Sequence, residues 1–200
     1  GLERETYVHI LSELHGTDAG VEPPFEKDLY AQVIADADCF ILPSVVQGTG
    51  MFPEAQPCVV ERGAVYPLKD IQSGQRVPEF FSDIPKAYAV LSLSLAIQTK
   101  VALEAAGFDG QGSIFTEGGF RKSDAYNRLL KAMYPTAEVA LSQIEEATAM
   151  GAAILAKAAL SGQTPMETAG AFDIEIESLA SAQLGDLSHY TNAFWKHMQR

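Results

Sequence analysis

A chain of 200 residues, 47% hydrophobic and 20% charged, can bury one substantial core, so a single domain is expected. Its net charge of −12, from 26 acidic and 14 basic side chains, would repel phosphate backbones and anionic lipid. Nucleic-acid and membrane-surface roles are therefore disfavoured, and no stretch has the high charge and low hydrophobicity of a disordered tail.

Tyr7, Ile10, Leu11 and Leu14 recur at helical spacing, and Gly16 follows as a stop signal. Phe25, Leu29, Val33 and Ile34 predict a second helix after Pro23-Pro24. Cys39-Phe40-Ile41-Leu42 reads as a buried strand ending at Pro43, and a turn-rich loop follows through Gln47-Gly48-Thr49-Gly50 to Pro57. Residues 58–60 and 64–66 pair as a hairpin around Glu61-Arg62-Gly63, where Gly63 can take positive φ. The polar stretch 68–81 reads as loop. Asp83 and Pro85 then open a long helix that Gly107 ends. Apolar residues on most of its sides predict burial, and Ser92, Ser94, Gln98, Thr99, Lys100 and Glu104 exclude a membrane span.

Ser113-Ile114-Phe115-Thr116 reads as a strand and Glu117-Gly118-Gly119-Phe120 as a tight turn. Ser123 is an N-cap for a helix whose apolar face is Tyr126, Leu129, Leu130 and Met133. An extended segment at 137–141 leads to Ser142-Gln143-Ile144-Glu145, a capping box opening a helix over 146–160. That helix carries Ala147, Ala149, Gly151, Ala152 and Ala153, which would let a neighbouring backbone or a flat ligand approach, and Pro165 is expected to close it. Phe172, Ile174 and Ile176 alternate like an edge strand, and Leu187, Tyr190, Phe194 and Met198 mark a terminal helix.

A strand, a diglycine turn and a capped helix make a place for a nucleotide, because glycines remove obstructing Cβ atoms and the helix start offers free N–H groups. The same arrangement also serves as a plain connector. Neither a Walker A loop nor GxGxxG is present. His9, His15, His189 and His197 lie on the terminal helices without partners at metal-ligand spacing, and no serine has a GxSxG context. Glu145-Glu146 suits a helix N-terminus better than a catalytic pair, whereas Arg121-Lys122 beside the diglycine could steer phosphates. Cys39 and Cys58 read as buried thiols of a reducing compartment. A start at Gly1, without Met or signal peptide, suggests a piece of a longer protein.

Phe115-Thr116-Glu117-Gly118-Gly119-Phe120-Arg121-Lys122-Ser123, followed by Glu145-Glu146-Ala147-Thr148-Ala149-Met150-Gly151-Ala152-Ala153-Ile154-Leu155, resembles the C-terminal domain of FGGY carbohydrate kinases. The likeness extends over most of the chain, from the first helix through Phe40-Ile41-Leu42-Pro43 and the long helix, and weakens in the last fifth. It implies an α/β fold of the actin-like ATPase (ribonuclease H-like) type, a mixed sheet flanked by helices. Residues 1–200 would then be a single C-terminal nucleotide-binding domain, with the N-terminal sugar-binding and catalytic domain outside the chain.

Position by position, the resemblance places Gly118, Gly119 and Phe120 against adenosine and Ser123 where relatives often carry an Asn near adenine. Gly48 falls in a loop that approaches the ATP phosphates in relatives. Two departures stand out: Phe120 replaces a common third glycine, and Ser92 replaces a Glu common in the long helix. The Glu-Gly-Gly-Phe version is similar to the deoxysugar (rhamnulose or fuculose) branch. The implied partners are ATP, a sugar acceptor and Mg²⁺ held mainly by the absent half. No catalytic or metal-binding residue is expected here, and the chain alone should be inactive. The resemblance also implies a cytoplasmic protein, and an isolated half would expose an interface that favours a homodimer. Two alternatives stay open: a kinase of another small molecule, and a non-catalytic scaffold module that has lost ATP.

Overall fold

Residues 1–142, 147–170, 176–180 and 182–199 are described by the structure, a computed structural model. Helix α1 (Leu2–His15) buries Tyr7, Ile10 and Leu11, and helix α2 (Lys27–Asp36) buries Tyr30, Val33 and Ile34, following the apolar spacing in each. Leu14, by contrast, is exposed. Strands β1 (Cys39–Leu42), β2 (Cys58–Glu61) and β3 (Ala64–Pro67) form an antiparallel sheet in that order. The β2–β3 turn places Arg62 at φ 48° and Gly63 at φ 81°, a left-handed pair that matches the strand twist of a tight hairpin.

The stretch 68–81 is more ordered than its polarity suggests. It holds helix α3 (Leu68–Gln72) and a 3-10 turn at Glu79–Ser82. The buried Glu61 carboxylate accepts the backbone N–H of Glu79 at 2.6 Å and of Phe80 at 2.9 Å. These are start-of-helix donors with no partner inside the turn, so a side chain 18 residues away in sequence fixes them. Phe80 and Phe81 are thereby held in the core.

Helix α4 (Ile84–Ala105) is the centre of the fold. The Asp83 carboxylate accepts the Lys86 N–H at 3.1 Å, and Pro85 occupies the first turn. Every residue over 87–94 is buried, because α1, α2, β1 and the next long helix surround this half of α4. Strand β4 (Ser113–Thr116) leads into a single helical turn, α5 (Gly118–Arg121), and then α6 (Asp124–Met133), which packs on α4. Strand β5 (Glu138–Ser142) runs parallel to β4.

Helix α7 (Ala147–Ser161) packs on α8 (Pro165–Ala169). Pro165 therefore opens a helix instead of closing one. Thr164 caps it in a capping box with Glu167, a local signal that outweighs the proline's role as a stop. Ala149, Ala152, Ala153, Leu155 and Leu160 are exposed, whereas Ala158 is buried. The capping box at 142–145 lies partly outside the described residues, as do Phe172 and Ile174. Strand β6 (Ile176–Ser178), which carries the third residue of that alternating set, pairs antiparallel with β5.

Helix α9 (Ser188–Met198) completes the fold beside β1. Arg62 N–H bonds the Asp38 carbonyl at 2.7 Å, so alternation along the antiparallel pair turns the Cys39 carbonyl away from β2. Tyr190 donates its hydroxyl to that carbonyl at 2.7 Å, and its ring lies 4.8 Å from Phe40. The architecture is α/β: the described residues form two small sheets, one antiparallel and one mixed, flanked by helices.

Candidate functional site

Gly118 and Gly119 follow the end of β4, where Glu117 is still extended. Gly118 takes φ 59°, a left-handed conformation that a side chain would strain, and this lets the chain leave the strand directly into α5. A Cβ on Gly119 would meet no atom within 4 Å, so its empty side faces open space. At the end of α5 the Phe120 carbonyl accepts the Ser123 N–H at 3.1 Å. Asn127 adds a second donor from α6, its amide donating to the Phe120 carbonyl at 2.8 Å and to the carbonyl of the N-cap Ser123 at 2.7 Å. Asn127 thus clamps the glycine turn onto the helix that follows it.

Ser123 has two partners. It accepts the Tyr126 N–H at 3.2 Å as the N-cap of α6, and it donates to the Glu22 carboxylate at 2.9 Å. Glu22 comes from the connection between α1 and α2, and its other oxygen lies 3.9 Å from the Arg4 guanidinium. Arg4 in turn sits over the Tyr88 ring, 5.8 Å from its centroid. Phe120 stacks on Tyr126 with centroids 4.6 Å apart at 32°, so the ring that replaces a third glycine packs against α6.

These side chains surround a cavity of about 140 Å³ walled by Arg4, Glu22, Tyr88, Ser92, Gly119, Phe120, Ser123 and Tyr126, among others. A second cavity of about 260 Å³ adjoins it, sharing Arg4, Leu95 and Phe120 in its walls. Together they reach the size range of small-molecule sites. Gly119, Phe120 and Ser123 are brought together here, with Gly118 beside them. Gly48 lines neither cavity; it lies in the loop after β1, where its N–H bonds the Pro53 carbonyl at 3.1 Å.

Sequence reading did not find Arg4, Glu22 and Tyr88, which reach the site from distant segments and carry no local motif. Asn127 had a signal, a poor helix former set beside the apolar face of α6. Among the described residues, no group of three or more His, Cys, Asp or Glu side chains could hold a metal ion. His15 bonds the Phe81 carbonyl at 2.8 Å, and His197 stacks 5.0 Å from Phe40. Burial pushes the Cys39 thiol up to about 12, so it offers little thiolate at neutral pH. No helix among the described residues is long and apolar enough to cross a membrane.

Residues 9–165 match the family described as carbohydrate kinase FGGY, C-terminal domain. The chain belongs to that family. The matched region of the FGGY domain runs from α1 to the start of α8 and contains the whole glycine turn and every cavity wall residue named above except Arg4. The fold also resembles the crystal structure of a carbohydrate kinase from Novosphingobium aromaticivorans, with a TM-score of 0.59 at 19% identity over 86% of this chain. The FGGY domain spans only 30% of that structure. No curated protein sequence is significantly similar to the chain.

Proposed function

We propose that this domain is the nucleotide-binding side of an ATP-dependent carbohydrate kinase, which transfers the γ-phosphoryl of ATP to a sugar hydroxyl. The observation that carries the reading is the cavity against Gly119, Phe120 and Ser123, three residues within the stretch matching the family. The open side of Gly119 leaves room for a ligand to approach the backbone, and the clamp from Asn127 holds the turn in place without a ligand. Phosphoryl transfer depends mainly on positioning and charge neutralisation. Of these, the domain supplies positioning: the glycine turn and the face of Phe120 orient the adenosine end.

On this reading Mg²⁺ and the base that takes the sugar's proton belong to an N-terminal domain. Gly48, which lines neither cavity, has at most a place near the phosphates when that domain closes. Free Cys39 and Cys58 support a reducing, cytoplasmic setting. The test is phosphorylation of a panel of sugars, deoxysugars included, by the full-length protein with ATP. Turnover of at least one sugar is expected; folded protein that phosphorylates none of them contradicts the proposal.

A further inference from the structure

Glu22 and Arg4 bring charged groups to the wall of the cavity beside Ser123. Glu22 belongs to no motif there, yet its side chain is only 16% exposed and it is the one carboxylate that bonds Ser123 across the space. An ionised carboxylate only accepts hydrogen bonds and has room for about four of them. Ser123 uses one site on Oε1, and Arg4 stands 3.9 Å from Oε2, beyond hydrogen-bond reach. Glu22 therefore keeps acceptor capacity at a wall of the cavity, next to the Ser123 hydroxyl.

We infer that Glu22 reads the edge of the nucleotide base and selects a purine with an exocyclic amino group over one with a carbonyl there. The inference rests on the reading that a nucleotide sits at the diglycine turn. Adenine offers an N–H₂ donor at position 6, which pairs with a carboxylate. Hypoxanthine offers an oxygen there, which a carboxylate repels and which would leave both groups desolvated without a partner. Phe120, stacked on Tyr126, gives the base a flat wall without specifying its edge. Selection is thus assigned to Glu22, and Ser123, through its bond to Oε1, is a positioning residue for it.

The experiment is calorimetric titration of the full chain with ADP and with IDP, for the wild type and for Glu22→Gln. The wild type should prefer ADP by roughly 10- to 100-fold, the cost of leaving one buried polar pair unmade. In Glu22→Gln, whose amide also donates, that preference should shrink to within about threefold or invert, since a neutral group tolerates both edges. Equal wild-type affinity for ADP and IDP overturns the inference, and needs no variant to fold. An unchanged preference in folded Glu22→Gln overturns it as well. In both cases the nucleotide site itself stands. If the wild type binds neither nucleotide, the site is overturned, and this inference with it.

Discussion

Single side chains that hold two segments together decide much of this structure. Glu61 is buried at the end of β2 and takes two backbone N–H groups of the 3-10 turn, so it orders a stretch whose own composition reads as loop. Removing it strands two donors in a mostly buried setting. Glu61→Ala should therefore lower stability by about 2–3 kcal/mol, the usual loss for hydrogen bonds to a charged group. Urea denaturation measures this, and an unchanged midpoint would show that water replaces the carboxylate. Asn127 acts in the same manner at the glycine turn, and Tyr190 does so at the open edge of β1. Glu61 and Tyr190 are not legible as partners in sequence, because the groups they bond are set by the tertiary fold, whereas Asn127 bonds carbonyls only four and seven residues before it. Ser123 is half legible: its capping of α6 follows from its place before an apolar helical face, whereas its bond to Glu22 does not.

Among the elements, those with their own signals are read correctly. The spacing of Tyr7, Ile10 and Leu11, the apolar run of β1, the Arg62-Gly63 turn and the Asp83–Pro85 start of α4 each carry a local physical cause. Errors fall where a distant partner intervenes, as in the 3-10 turn, or where a capping box competes with a proline, as at α8. The mixed sheet adds a feature that no strand shows alone. Glu138 on β5 accepts the Ser178 hydroxyl of β6 at 2.7 Å and the Ser113 hydroxyl of β4 at 3.2 Å, which ties all three strands together. These bonds, led by that of Ser178, hold the Glu138 carboxyl below the ordinary glutamate value. A lowered carboxyl pKa stabilises the fold above its unfolded value, and the contribution fades as pH falls through the folded value. In an NMR pH titration, Ser178→Ala should therefore raise the Glu138 midpoint toward the ordinary value. A midpoint that does not move would mean that the serine bond is absent in solution.

At the scale of the molecule, one core joins α1, α2, β1, β2, α4, α6 and α9 through Tyr7, Val33, Phe40, Leu93, Leu129 and Phe194, among others. That core brings the first helix, the α1–α2 connection and the glycine turn around one cavity. The glycine turn was legible as a nucleotide-binding candidate because its residue types have a steric consequence. The opposite wall was not, since Arg4, Glu22 and Tyr88 meet it only after the chain has folded. Gly119 is the place to test the site. It takes no left-handed φ and a Cβ there meets nothing within 4 Å, so a side chain starts into open space, where it would fill room a ligand would use. The measurement is calorimetric titration with ADP of the wild type beside Gly119→Val, with a thermal melt confirming that both are folded. Binding by the wild type, weakened at least about tenfold by valine through lost packing space, is the result this account expects. Equal affinity in the two proteins, or no binding by the wild type, would contradict it.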